Sequence, residues 1–114
     1  MSAQDRAAPS FTGTLPLADL ELRAEEASQL LRLLGNPHRL LILCALVEGD
    51  LSVGQLQARL PLSQSALSQH LARLREAGVV LTRRAAQQIF YALPPGPVTA
   101  VMATLHRVYC DDMP

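Results

Sequence analysis

The chain has 114 residues, 49% of them hydrophobic, and a formal net charge of zero at pH 7. This length suits one compact domain, and because the apolar stretches are too short to cross a bilayer and no export signal is visible, we expect a cytoplasmic protein with no membrane partner. The neutral total excludes a uniformly basic protein but hides a basic segment, since five of the ten arginines lie between residues 59 and 84, where Glu76 is the only acid.

Residues 1–18 mix Pro, Gly, Ser and Thr without periodicity and predict a flexible N-terminal tail, which leaves residues 19–114 as one domain. From Asp19 apolar side chains recur at helical spacing until Gly35–Asn36–Pro37 ends the helix. Pro37 then begins a second helix, because its missing N–H costs little at the first helical position. That second helix is apolar on most sides, which is typical of a buried helix.

Two short helices and a strand pair follow. Ser52 and Ser63 are predicted N-caps of the third and fourth helices, and the fourth carries a leucine stripe and ends at Gly78. Residues 79–82 and 89–91 read as two paired strands joined by a longer loop, because residues 83–88 hold no tight-turn dipeptide. A last helix, with an apolar stripe, covers residues 98–110.

The fourth helix turns polar side chains away from its leucine stripe. A polar face alone is typical of any helical hairpin, but two short helices followed by an arginine-bearing strand pair favour a winged helix-turn-helix. Ser, Gln and Arg side chains bind base edges and phosphates, and arginines in a wing suit phosphates or a minor groove. The predicted DNA-binding residues are Ser63, Gln64, Ser65, Ser68, Gln69, His70, Arg73, Arg83 and Arg84.

The residues also bear on two other classes of protein. A small dimeric interaction module without DNA binding would leave the arginines of the wing unexplained. An enzyme is disfavoured, because no nucleophile–base–acid set, glycine-rich phosphate loop or metal triad is visible in the sequence. We therefore expect no cofactor.

The stretch "LGNPHRLLILCALVEGDLSVGQLQARLPLSQSALSQHLARLREAGVVLTRRAAQQIFYAL" resembles the ArsR/SmtB winged-helix repressors of bacteria. The resemblance covers about residues 25–110, and "LSQSALSQHLARLREAG" is its most specific part. It implies a mainly α fold with a small β-wing, of about five helices and a two-stranded antiparallel hairpin. It also implies a homodimer joined through the first and last helices, which binds double-stranded operator DNA at an inverted repeat and represses transcription until an inducer arrives.

The two cysteines indicate a subgroup within that family. The sequence lacks the Cys-x-Cys motif and the Asp/His/Glu pattern of the metal-sensing members, and it has single cysteines in "LLILCALVEG" and "HRVYC". In this it is similar to the BigR/SqrR/HlyU-like thiol sensors. The resemblance implies that Cys44 and Cys110 sense reactive sulfur species (persulfides and polysulfides), and that a disulfide or longer sulfur bridge between them releases DNA.

Other roles for these cysteines stay open at the level of sequence. A lone cysteine in an apolar helix is usually an inert core residue. His106 precedes Cys110 by four positions, and together with Cys44 these residues could bind zinc or copper(I) in a metal-responsive repressor. We expect no bound metal and keep that site as the alternative to the thiol switch.

Overall fold

The computed structural model describes residues 16–110, which form five helices and three strands. The predicted mainly α fold with a wing is confirmed, but α1 begins at Leu17, ahead of the predicted Asp19. Most of the predicted tail, residues 1–15, and residues 111–114 lie outside the described residues. In chain order the elements are α1 Leu17–Leu34, α2 Pro37–Val47, β1 Leu51–Ser52, α3 Val53–Arg59, α4 Gln64–Glu76, β2 Leu81–Ala85, β3 Gln88–Ala92 and α5 Pro97–Cys110.

Local side-chain caps fix the starts of three helices. At α2 the Asn36 side chain accepts hydrogen bonds from the two backbone N–H groups of His38 and Arg39, and Pro37 occupies the first turn as predicted. Ser52 begins α3 in a capping box, in which the Gln55 side chain accepts from the Ser52 N–H in return. Ser63 caps α4 by accepting a hydrogen bond from the Ala66 N–H, so the predicted N-caps of α3 and α4 are both confirmed.

The sheet has one strand more than the sequence predicted. Its order is β1-β3-β2, and all pairs are antiparallel. The added strand is β1, whose two residues pair with Tyr91 and Phe90 of β3. A run of two residues is too short to read as a strand from sequence. Val79 and Val80, predicted as strand residues, are instead buried ahead of β2.

The wing closes with a tight turn, so the predicted longer loop is wrong. Ala85 pairs with Gln88, which leaves only Ala86 and Gln87 between the strands. Ala86 has a φ of 56°, in the left-handed region that two-residue hairpin turns require and that glycine or asparagine normally occupies. The sequence did not predict this turn because alanine is not a typical residue at a positive φ.

The core lies beneath α4 and draws on nearly every element. Its fully buried side chains come from α2, α3, α4, α5 and the segment before β2. Helix α1 contributes only Leu34 to the buried core, although its apolar side chains recur at helical spacing. The leucines of α1 at positions 17, 20, 22 and 31 are 48–69% exposed in the single protomer. The core therefore anchors α4 firmly and leaves much of α1 uncovered.

Candidate DNA-binding face and thiol pair

Helix α4 turns one side to the core and the other to solvent. Leu67, Leu71 and Leu74 are at most 2% exposed, which confirms the predicted stripe. Since this stripe faces inward, the residues between its members must face outward. The exposed residues of the predicted DNA-binding set on and before α4 are Ser63, Gln64, Ser65, Ser68, Gln69 and Arg73.

Ser63 differs from the other polar residues of this face because its hydroxyl already has a structural role. It accepts a hydrogen bond of 3.1 Å from the Ala66 N–H, and its oxygen lies 3.5 Å from the Ser65 hydroxyl. This bond satisfies one of the free N–H groups at the start of α4. Ser63 thus orients the start of α4, while Gln69 and Arg73 are exposed to solvent.

His70 is half-buried, at the edge of the polar face. Its ring packs edge-on against His38 at a centroid distance of 5.8 Å. Burial lowers the pKa of His70, and the charges of Arg39, His38 and Arg73 lower it further. Arg39, in the first turn of α2, therefore adds positive charge beside α4. No local signal in the sequence predicts this, because Arg39 is distant from α4 in the chain.

The two arginines of β2 have different surroundings. Arg83 Nε donates a 2.8 Å hydrogen bond to Asp50 Oδ2, and its guanidinium lies 4.8 Å from the centroid of the Phe90 ring. Arg84 is exposed and forms no hydrogen bond or ion pair with any residue between 16 and 110. Both arginines were predicted to bind DNA, whereas in the structure only Arg83 contacts a residue outside the hairpin.

Cys44 and Cys110 meet between two helices. Both are free thiols of intermediate exposure, on α2 and at the end of α5, and these two helices pack together. Burial raises the pKa of the Cys44 thiol, and the charge of Cys110 and a hydrogen bond between the two side chains raise it further. The two side chains therefore interact within one protomer, and Cys44 stays protonated at neutral pH.

His106 lies near this pair but does not complete a metal site. Its Nε2 is 3.6 Å from Glu48 Oε2, at the end of α2. Among residues 16–110 no group of three or more His, Cys, Asp or Glu side chains is arranged to hold a metal ion. The three-ligand set of Cys44, His106 and Cys110 is thus not assembled in this structure.

No single helix in residues 16–110 is long and apolar enough to cross a membrane. Helices α1 and α2 meet the length and composition criteria only as a pair, and they are bent by 94° relative to each other.

Helices α3 and α4 form a helix-turn-helix whose second helix, the recognition helix, has an exposed polar face, and the hairpin β2–β3 follows it. This arrangement defines a DNA-binding regulator of the winged-helix class. A family model described as "Bacterial regulatory protein, arsR family" matches residues 36–82. The transcriptional activator HlyU of Vibrio cholerae is 51% identical over 83% of this chain and 88% of its own length. The biofilm growth-associated repressor of Agrobacterium fabrum is 44% identical over 90% and 87% of the two chains.

Solved structures agree with these sequence relatives. The transcriptional repressor BigR from Xylella fastidiosa has a TM-score of 0.80 at 40% identity, over 87% of this chain and 98% of that one. Reduced HlyU from Vibrio cholerae has a TM-score of 0.76 at 51% identity, over 81% and 97% of the two chains. The chain belongs to the ArsR family and is a transcriptional regulator, not an enzyme.

Proposed function

We propose that this protein is a dithiol-responsive repressor that binds operator DNA in its reduced form and releases it when Cys44 and Cys110 are bridged by reactive sulfur species. The observation that carries the proposal is that the two thiols interact within one protomer, across the packed helices α2 and α5. A cysteine that served only to fill the core would not need a second cysteine as its neighbour. The exposed polar residues of α4 supply the DNA-binding half.

The state of Cys44 suggests an order for the chemistry. A thiol with a raised pKa is a poor first nucleophile, so the Cys110 thiolate attacks a polysulfide, breaks its S–S bond and releases a shortened sulfide. The product is a persulfide on Cys110. Cys44 then loses its proton and attacks Sγ of Cys110, which breaks the bond to the outer sulfur, expels it as hydrosulfide and leaves a Cys44–Cys110 disulfide. If Cys44 also carries an extra sulfur, the same attack leaves a trisulfide.

We further propose that the working unit is a homodimer formed through α1 and α5. Support comes from apolar side chains that the single protomer leaves uncovered on both helices, with Val108 and Tyr109 of α5 58% and 72% exposed. The exposed leucines of α1 are the other uncovered apolar side chains. A symmetric dimer would place its recognition helices roughly 34–36 Å apart and read an inverted repeat. Sedimentation as a monomer at micromolar concentration would contradict this.

A bridge between Cys44 and Cys110 would change how α5 packs on α2. Because α5 also belongs to the proposed dimer surface, both recognition helices would move relative to each other. A difference of about 1.4 kcal/mol between the two forms would change operator affinity tenfold.

The test is operator binding by reduced and by polysulfide-treated protein, with the promoter of its own operon as DNA. We expect treatment to link Cys44 to Cys110 within one chain, as peptide mapping would detect, and to weaken binding at least tenfold. Cys44→Ser and Cys110→Ser should each bind DNA and ignore polysulfide. Full induction of either variant, or a bridge found only between chains, would refute the intraprotomer switch.

A further inference from the structure

We propose that Arg83 is a positioning residue that fixes the wing against the turn between α2 and β1, and that Arg84 alone of this pair neutralises a DNA phosphate. This assignment rests on the proposed DNA binding and refines it. Two arginines that are adjacent in sequence and identical in chemistry thus have different roles.

Strand register explains why the two arginines differ. Successive side chains of a strand point to opposite faces of the sheet, and directly paired residues share a face. Arg83 pairs with Phe90, and Phe90 pairs on its other side with Ser52 of β1. Arg84 pairs with Ile89 and so lies on the opposite face. Only Arg83 is on the face from which Asp50, just before β1, is within reach.

Two contacts hold the Arg83 side chain in place. The guanidinium lies over the Phe90 ring at 4.8 Å, and its Nε donates to Asp50 Oδ2 at 2.8 Å. The Asp50 carboxylate neutralises the charge that a phosphate would otherwise attract, so Arg83 has little left to offer DNA. Asp50 also lies outside the hairpin, so the pair links β2 directly to the loop that follows α2.

Both partners are partly exposed, with side-chain exposures of 56% for Arg83 and 38% for Asp50. An exposed ion pair has a small effect on global stability, so its consequence should be local. Within the sheet the hairpin pairs with β1 through β3, and β2 is the outer strand with no pairing to β1. A second attachment on β2, the outer strand, therefore limits the orientations that the hairpin adopts.

The experiment compares Arg83→Gln, Asp50→Ala and the matched control Arg84→Gln. Operator affinity is measured as a function of salt concentration. Loss of one phosphate contact reduces the magnitude of the salt slope by about 0.9, and we expect this for Arg84→Gln only. Arg83→Gln and Asp50→Ala should each weaken operator binding about two- to fivefold with an unchanged slope, as expected for loss of an exposed ion pair.

Asp50→Ala separates the two roles by the sign of its effect. If Arg83 were a phosphate contact restrained by Asp50, removing the carboxylate would release it and leave affinity unchanged or higher. That result, or a reduced salt slope for Arg83→Gln, would overturn the proposal. The double variant Arg83→Gln with Asp50→Ala should bind operator like either of its single variants, because each substitution removes the same ion pair.

A measurement without DNA keeps this inference separate from the proposed function. Amide hydrogen exchange in β2 and β3 should accelerate in Arg83→Gln and Asp50→Ala, and should stay at the wild-type rate in Arg84→Gln. If the unaltered protein bound no operator, the proposed function would fail while exchange still tested the anchor. Equal exchange in all three variants would refute the anchor whatever the DNA result.

Discussion

Helix α4 and the contact between α2 and α5 are built in different ways. The polar face of α4 follows from signals within residues 63–76, namely an N-cap, a leucine stripe and the polar residues between its members. The thiol pair depends on two helices far apart in the chain whose side chains meet only after folding. The candidate DNA-binding face is therefore encoded locally, whereas the candidate sensor depends on tertiary packing, so a substitution at either cysteine leaves the local signals of that face intact.

The largest loss of unfolding free energy should come from truncating a leucine that packs beneath α4. Leu71→Ala removes a side chain that is 2% exposed, and such truncations cost about 2–5 kcal/mol of unfolding free energy. Cys44→Ala, at a half-buried position, should cost about 1 kcal/mol or less, because it removes one atom beside solvent. Denaturant unfolding measures both values. Equal losses would show that the thiol pair is as much a part of the core as the leucine stripe.

Base reading by α4 should appear as lost discrimination. Gln69→Ala should weaken operator binding by about 1–3 kcal/mol, the usual value of a good side-chain contact to a base, and change binding to random DNA little. Gln29→Ala, at an exposed position on α1, should leave the ratio of the two affinities unchanged. A parallel loss on both DNAs for Gln69→Ala would remove it from base reading. Titration with competitor DNA provides the ratio.

The thiol pair should show a pH signature that α4 lacks. Native Cys44 should be alkylated by iodoacetamide with a midpoint above pH 9.0, its ordinary pKa, because burial and Cys110 both favour the neutral thiol. Cys110→Ala should lower the midpoint only in part, since burial is the larger cause. A midpoint at or below 9.0 in the unaltered protein, measured by mass spectrometry, would contradict this account.

The same shift has a consequence for stability. The native state holds the Cys44 proton to a higher pH than the unfolded chain does, so its contribution is complete below pH 9.0 and is lost as pH rises through the folded pKa. Cys44→Ala should flatten this alkaline loss in unfolding measurements.

The smallest effect should come from the wing turn. Ala86→Gly relieves a left-handed alanine and should stabilise the hairpin by about 1 kcal/mol or less. Gln87→Gly is the control, because Gln87 has no positive φ, and it should have no stabilising effect. Exchange of the β2 and β3 amides measures both. The same gain in both variants would show that φ at Ala86 is not the cause.

The sequence predicted the features that have a local signal and missed those that lack one. Caps at Ser52 and Ser63 and the stripe of α4 were predicted because each signal lies within a few residues of its effect. The turn at Ala86 was missed because alanine does not signal a left-handed backbone. The ion pair of Arg83 with Asp50 spans 33 positions and has no local signal, so nothing in the sequence distinguished Arg83 from Arg84.

The turn after α2 constrains how this chain can vary in length. Glu48 faces His106 of α5 and Asp50 holds Arg83 of the wing, with only Gly49, at a φ of 150°, between the two acids. An inserted residue would shift one acid away from its partner whichever side of Gly49 it entered. Insertions and deletions among descendants of this sequence should therefore accumulate at the wing tip or before α5, and be rare in these three residues.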